Sequence, residues 1–234
     1  MPTASELFAD GRLDAAIETL GVELRSHPAD VQRRSFLFEL LAFAGQYDRA
    51  ARQLDALAGG DALHEAAASV YRAALVAERV REHMFDTGDF PTAPAPPVVG
   101  GECNDQPFTT IEDADPRIGA RLEVMAGGRY IWIPFAHLAA VSIEPPARLR
   151  DLRWIPARID TSAEIKNMSL GEVLLPVLSP GAWRSADPEL RLGRATDWEE
   201  LKDGQFAPVG QKMLRIDGRE TPLLDVRRLV MTAS

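Results

Sequence analysis

The sequence predicts an α+β, multidomain chain in which helical hairpins precede a mostly β, small-barrel-like C-terminal domain. Through the first 86 residues, apolar residues recur three and four positions apart, which is the spacing of helices with one buried face. After a stretch rich in proline and glycine, the apolar period falls toward two and turn residues separate short runs, which indicates strands. We therefore expect a helical domain at 1–90, a linker or long loop at 91–107 and a β domain at 108–234.

The helical domain contains an internal repeat of 34 residues. Gly11 and Gly45 begin the same pattern, in which an aspartate follows three residues after the glycine and an alanine two residues later. Because 34 residues is the period of tetratricopeptide (TPR) helix pairs, we predict two TPR-like hairpins. Two repeats are fewer than a free-standing solenoid needs, so the helices must pack against another part of the chain.

A third helix is predicted from about Leu63 to Phe85, since small and apolar residues follow one of its faces. Asp61 is expected to cap its N-terminus, and Gly88 follows its end. The next segment, 91–107, contains five prolines and two glycines, which is why a linker or loop is predicted there.

Short strands are predicted for the C-terminal domain. Arg121–Met125 and Arg129–Ile133 flank an Ala-Gly-Gly turn, and Asp217-Gly218 predicts a second hairpin near the end of the chain. Several short strands with few helices favour a small, partly open barrel or a sandwich. The remaining strand candidates, including the two arms of the last hairpin, are Leu138–Ile143, Trp154–Ile159, Val173–Leu178, Lys212–Ile216 and Thr221–Val226.

Composition and charge restrict the possible partners. The chain has 234 residues and a net charge of -9 without a basic field, which argues against nucleic acid as a partner. No run approaches the roughly 20 consecutive apolar residues that span a bilayer, so no membrane insertion is expected. The N-terminus has no basic leader before an apolar segment, and Cys103 is the only cysteine. These features favour a cytoplasmic location.

Residues that could support catalysis or bind a metal form no recognised pattern. The acidic stretch 112–115 lacks EF-hand spacing, and a turn role before Pro116 is favoured. The four histidines form no His-x3-His pattern, and Cys103 lies near acidic residues, which raise the pKa of a thiol. No phosphate-binding loop or nucleophile elbow is present. We therefore predict no catalytic residue, no cofactor and no metal.

An uncharacterised hydrolase is an alternative class. It requires Asp113, Asp115, His137 and Glu144 to converge on one pocket that contains at least two perturbed titratable groups. The four tryptophans all lie in the C-terminal half, and core packing is favoured over partner binding for each of them.

The helical domain offers the stronger argument for binding. Stacked helix pairs form a concave surface, which commonly receives an amphipathic helix or an extended peptide. The first 90 residues contain nine arginines and fifteen acidic residues, a net charge of -6 that favours a partner with basic residues around an apolar stripe. Alternatively, this face only docks the β domain. The candidate partner-binding residues are Phe36, Glu39, Phe43, Tyr47, Tyr71 and Glu78.

Several segments along nearly the whole chain resemble one known family. They include the Leu-Phe-x2-Gly-Arg-Leu opening and, further along, 113–119, 128–135, 143–146, 149–157, 192–198, 209–212 and 222–227. In this combination the chain resembles the ImpE/TagJ-like family of type VI secretion accessory proteins. The resemblance implies a non-enzymatic role in the cytoplasm and binding to an N-terminal helix of the small sheath subunit. It also implies an effect on sheath assembly or recycling. The alternative is a TPR-type adaptor or chaperone for another secretion component or effector.

Overall fold

The computed structural model describes residues 2–59, 62–94, 96, 100–162 and 169–232. The chain forms N-terminal helices followed by mostly antiparallel strands, which confirms the predicted α+β class. Asp61, predicted as a helix cap, lies outside the described residues. The α-helices are α1 (Ala4–Ala9), α2 (Leu13–Ser26), α3 (Val31–Phe43), α4 (Tyr47–Ala58), α5 (Ala62–Thr87) and α6 (Pro188–Arg191).

The two repeated glycines close two helices in the same way. Gly11 follows α1 with a φ of 75°, and Gly45 follows α3 with a φ of 68°. In the first turn, the N–H of Gly11 donates to Phe8 O at 3.0 Å and the N–H of Arg12 to Leu7 O at 2.8 Å. The corresponding bonds follow α3, so both ends are Schellman motifs. The TPR-like character of the two helical hairpins stays a prediction.

Both glycines also contact the C-terminal half. A Cβ at Gly11 would lie 2.8 Å from Pro188 Cβ, and a Cβ at Gly45 would lie 2.5 Å from Trp183 Cδ2. Two features therefore exclude a side chain at each position: the left-handed backbone conformation and the close approach of a second segment. The turns after α1 and α3 therefore pack against Pro188 and Trp183 of the C-terminal half.

We expect Gly45→Ala to lower the free energy of unfolding by about 2–4 kcal/mol, from left-handed strain and overpacking against Trp183. Gly21→Ala is the matched control, because Gly21 lies inside α2 with open space around it and a Cβ there favours the helix. Urea denaturation of both variants measures the difference. Equal stability of the two variants would show that Trp183 does not pack on Gly45.

Thirteen strands follow α5 within the described residues, with α6 between the eighth and the ninth. Eight of them form one antiparallel sheet in the order β2-β1-β13-β6-β7-β8-β4-β5, and β12-β11-β3 and β10-β9 form two smaller sheets. The strands are β1 (Gly101–Cys103), β2 (Gln106–Phe108), β3 (Ile111–Asp113), β4 (Arg121–Ala126), β5 (Arg129–Pro134), β6 (Leu138–Ile143), β7 (Trp154–Thr161), β8 (Ser169–Pro176), β9 (Thr196–Glu200), β10 (Phe206–Gly210), β11 (Met213–Ile216), β12 (Arg219–Pro222) and β13 (Arg228–Met231).

The sheet differs from the sequence prediction in several details, of which three bear on the predicted domains and hairpins. The eight-stranded sheet begins at β2 and ends at β5, so it is open among the described residues and the barrel is not confirmed. The segment predicted as the 91–107 linker contributes β1 and β2, where Pro107 is tolerated because β2 is an edge strand. The second arm of the last hairpin spans Arg219–Pro222 rather than Thr221–Val226, because the two-residue Asp217-Gly218 turn fixes the register.

The large sheet separates two apolar cores. On one side, helical residues pack with sheet residues such as Met125, Trp154 and Leu174. On the other side, residues of the large sheet such as Val124 and Ile155 form a second core with Leu214 of the small β12-β11-β3 sheet. The helices therefore cover one face of the sheet and share its core.

Candidate functional site

A buried ionic cluster joins α5 to the sheet. Arg81 of α5 donates from Nε to Glu123 Oε1 at 2.7 Å and from an Nη to Glu123 Oε2 at 3.0 Å. A third Arg81 bond reaches Leu178 O at 2.9 Å. The side chains of Arg81 and Glu123 are 1% and 0% exposed, so this paired geometry compensates two charges that have lost their water.

Lys212 extends the cluster to β3. Its ammonium group contacts both Glu123 and Asp113, and all three side chains are 2% exposed or less. The hydroxyl of Tyr130 donates to Glu123, and Trp132 Nε1 donates to the Tyr130 hydroxyl. Two cations and two carboxylates are thereby enclosed between α5, β3, β4 and the residue before β11.

Burial and charge shift the pKa values of this cluster in opposite directions. Burial raises the pKa of Asp113 to about 7, and Lys212 only partly opposes it. Burial also disfavours the Glu123 carboxylate, but Arg81 and Lys212 outweigh this effect and lower its pKa to about 2. Glu123 is therefore a permanent anion at neutral pH, whereas Asp113 can take up a proton there.

A second buried polar group lies beside Trp154. Trp154 Nε1 donates to Glu78 Oε1 at 2.9 Å, and an Nη of Arg153 lies 3.3 Å from the same oxygen. Arg153 also donates to the Tyr47 hydroxyl at 2.9 Å, and that hydroxyl donates to Glu82 at 2.6 Å. The helices and the sheet are thus bonded through side chains of α4, α5 and β7.

Three of the six predicted partner-binding residues lie within this junction. Phe43 is 0% exposed, Glu78 is 1% exposed and Tyr47 is 5% exposed. They contact other residues of this chain, as the docking alternative predicts for this face. Their burial leaves them no surface to offer a partner in this structure.

Of the other three predicted residues, Phe36 and Tyr71 are half-buried, whereas Glu39 is buried at 9% exposure. Glu39 pairs with Arg150 at 2.9 Å, and the Arg150 guanidinium lies 5.1 Å from the centre of the Tyr71 ring. Tyr71 and Arg150 border a cavity of about 200 Å³ between α3, α4 and α5. Phe36 is half-buried against Phe8, with ring centres 6.0 Å apart.

The arrangement required by the hydrolase alternative is not formed. Asp113 and Asp115 are each 1% exposed, whereas Glu144 is exposed at the end of β6 and His137 lies half-buried before it. Two of the four side chains are therefore enclosed while a third is open to solvent, so they do not share one environment. Within the same residues, no group of three or more His, Cys, Asp or Glu side chains is placed to hold a metal ion.

An exposed apolar face runs along α5. Val70, Val76 and Val80 are 51%, 48% and 49% exposed, and they are three of the six large apolar side chains that are exposed in the described part of the chain. At 3.6 residues per turn they lie within roughly 120° of arc around Ala73. Every α5 residue of this arc between 66 and 80 is uncharged, and its exposed residues are apolar except Ser69. Ala77 also lies in the arc but is 0% exposed, so the apolar stripe is interrupted there.

A cavity continues this stripe at the first turns of α5. It measures about 520 Å³ and lies between α5, the β4–β5 turn and β8. Its walls are mainly small or apolar, with Glu172 at the rim: Ala66, Ser69, Val70, Ala73, Ala74, Met125, Ala126, Gly127, Gly128, Glu172, Val173 and Leu174. Sequence periodicity had indicated a buried face of α5 but could not show that β8 and the β4–β5 turn leave part of it uncovered.

The helices of the described structure include none that is long and apolar enough to cross a membrane.

Comparison with known proteins agrees with the motifs. A sequence model of the family described as "ImpE protein" matches residues 105–230. The "Type VI secretion system accessory component TagJ" of Pseudomonas aeruginosa is 34% identical, over 97% of this chain and 90% of its own length. The crystal structure of protein VPA1032 from Vibrio parahaemolyticus has the same fold, with a TM-score of 0.85 at 21% identity over 99% of this chain and 98% of that chain. Since the family match spans more than half of the sequence, the chain belongs to the ImpE family.

Proposed function

We propose that this chain is a non-enzymatic accessory protein of a bacterial type VI secretion system. It acts in the cytoplasm as an adaptor that binds the small sheath subunit through an N-terminal helix of that subunit, and it thereby modulates sheath assembly or recycling. Family membership and the name of the Pseudomonas relative support the secretion role. The apolar stripe of α5 supports the binding mode.

The stripe has the dimensions of a helix-docking surface. From Ala66 to Val80 it extends over 14 residues of helix rise, about 21 Å. Alanine and serine side chains at 66, 69 and 73 let the backbone of a second helix approach closely, as in ridge-into-groove packing. An amphipathic helix of about four turns could place its apolar face there. The cavity beside Ala73 would receive its largest side chain.

Charges near the stripe favour a basic partner helix. Glu172 stands at the rim of the cavity. Glu65, exposed at the N-terminal end of α5, is paired with Arg72 at 3.1 Å. With the net charge of -6 over residues 1–90, Glu172 would attract lysines or arginines that flank the apolar face of the partner.

The predicted partner-binding residues then divide by exposure. Phe36 and Tyr71 could form a secondary contact on the outer, TPR-like surface of the helical domain, where the buried Glu39 holds Arg150. Phe43, Tyr47 and Glu78 would act indirectly, by holding α4 and α5 in place against the sheet.

We expect Val76→Asp to weaken binding of the helix at least tenfold, because a carboxylate would be buried in an apolar contact. The measurement titrates a fluorescent peptide, copied from the N-terminal helix of the cognate small sheath subunit, into the purified protein. A scrambled peptide controls for charge. Val22→Asp is the matched variant, since Val22 is 55% exposed on α2, far from the stripe in sequence. It should bind like the wild type.

Val31→Asp separates the two candidate surfaces. Val31 is 51% exposed and borders the cavity beside Tyr71. Loss of binding in this variant, with Val76→Asp unaffected, would move the docking site to the outer surface of the hairpins. If the wild type does not bind the peptide at concentrations well above micromolar, the sheath helix is not the partner. Another secretion component or an effector would then be tested in the same assay.

A further inference from the structure

The buried ionic cluster distributes its hydrogen-bond donors unequally between two carboxylates. Glu123 receives two bonds from Arg81, one from Lys212 and one from the Tyr130 hydroxyl. Asp113 is contacted by Lys212 and by the N–H of Asp115, which donates to its Oδ1 at 2.9 Å. Both carboxylates share Lys212. The negative charge of an ionised Asp113 is therefore compensated by far fewer hydrogen bonds and cations than that of Glu123.

This inequality decides where a proton would bind. A buried carboxylate with few donors is more stable when it is neutral, because the proton removes the charge that water can no longer solvate. Asp113 is 1% exposed, and the shift of its pKa to about 7 agrees with the count of donors.

We propose that protonation of Asp113 controls the stability of the junction between α5 and the sheet. When Asp113 is protonated, Lys212 is left to Glu123, and Glu123 in turn holds Arg81 of α5. When Asp113 is ionised, it competes for Lys212 and adds a second buried anion, which weakens the junction. This effect of protonation does not depend on a partner protein.

Other charged groups around Asp113 are held in ion pairs of their own. From α5, Glu78 accompanies Arg81 and lies within 3.3 Å of an Nη of Arg153. In the β3–β4 turn, Asp115 pairs with Arg117. The neighbouring strand residue Glu112 pairs with Arg215 of β11 at 3.0 Å. Tyr130 of β5 is neutral, since burial raises its pKa above the ordinary value of 10.0.

The sign of the pH dependence follows from proton linkage. The pKa of Asp113 is raised from 3.8 in the unfolded chain to about 7 in the folded one, so its stabilising contribution is present at low pH and is lost as pH rises through 7. For one proton, the ratio of folded to unfolded protein falls by up to about tenfold per pH unit between pH 5 and 7, and the fall levels off by pH 8.

Urea denaturation at half-unit steps from pH 5 to 8.5 tests this on the full chain. Asp113→Asn should lose the slope that the wild type shows, while Glu144→Gln, which removes an exposed carboxyl group, should keep it. Hydrogen exchange of α5 amides near Arg81, corrected for the intrinsic rate, locates the effect. Opening should become more frequent from pH 6 to pH 8 in the wild type and stay constant in Asp113→Asn.

Equal pH slopes in the wild type and Asp113→Asn would overturn the proposal. If Asp113→Asn does not fold, the carbon-13 resonance of the Asp113 carboxyl group in the wild type decides. A midpoint near neutral pH supports the control, and a carboxylate that is still ionised at pH 5 refutes it.

Discussion

Replacing Arg81 with methionine should lower the free energy of unfolding by about 3–5 kcal/mol, because one partner of a buried ion pair disappears and the other stays. Glu123 would lose two of its four hydrogen bonds, and Leu178 O would lose the bond from the same guanidinium. Methionine keeps much of the apolar stem, so the loss reports the charge rather than a large cavity. Urea denaturation at pH 7 measures it.

Arg79→Met is the matched control on the same helix. Arg79 also pairs with a carboxylate, but its side chain is 43% exposed and that of its partner Asp48 is 85% exposed. Solvent screens such a pair, so we expect a change below about 1 kcal/mol. If Arg81→Met were as stable as Arg79→Met, the ionic cluster would not hold α5 to the sheet.

Trp154→Ala should cost a similar amount, about 3–5 kcal/mol, since it opens a cavity where the two halves of the chain meet. The Trp154 ring is 0% exposed and stacks 6.3 Å from the Phe38 ring, centre to centre. Its removal also takes the indole donor from Glu78, whose other neighbours are two arginines. Thermal or urea unfolding measures the loss.

Trp154→Phe separates packing from hydrogen bonding. Phenylalanine keeps a ring against Phe38 but cannot donate to Glu78, so we expect about 1–3 kcal/mol of destabilisation. If Trp154→Phe lowered the free energy of unfolding as much as Trp154→Ala does, the bond to Glu78 rather than the ring would account for the effect. A loss below 1 kcal/mol in Trp154→Ala would contradict the shared core.

Local patterns predicted the elements that are long or marked by strong turn residues. Leu138–Ile143 was predicted as a strand and forms β6 with the same bounds. The Gly-Gly turn placed the β4–β5 hairpin, and the predicted helix from Leu63 to Phe85 lies within α5. In each case, periodic apolar residues or a turn that needs positive φ determine the local structure.

Three of the strands that were not predicted are too short to carry a local signal, whereas β9 and β10, with five residues each, were also not predicted. β1, β2 and β3 have three residues each, which is too short for a period of two to be recognised. β1 pairs with its neighbour β2 across the two-residue Asn104-Asp105 turn and also with the distant β13, and only the second pairing leaves no local pattern. The segment predicted as a linker or long loop at 91–107 therefore contains a short hairpin, in which β2 pairs with the neighbouring β1 and β1 joins the sheet through the distant β13.

The buried charges also escaped prediction. Glu123 alternates with Leu122 and Val124 in β4, which is the pattern of a residue that points to solvent. It is buried because α5 covers that face of the sheet, and Arg81 is the residue of α5 that meets it. A carboxylate in a strand and an arginine in a helix 42 positions away give no sequence signal of their contact.

Site-specific photo-crosslinking in cells tests the central claim most directly. A photoreactive phenylalanine analogue would replace Val76 on the α5 stripe or, as the control, Val22 on α2, in bacteria that express the complete secretion system. The adaptor account predicts a crosslink to the N-terminal helix of the small sheath subunit from position 76 and none from position 22. A sheath crosslink from position 22 alone, or none from position 76 while the protein is folded and expressed, would contradict it.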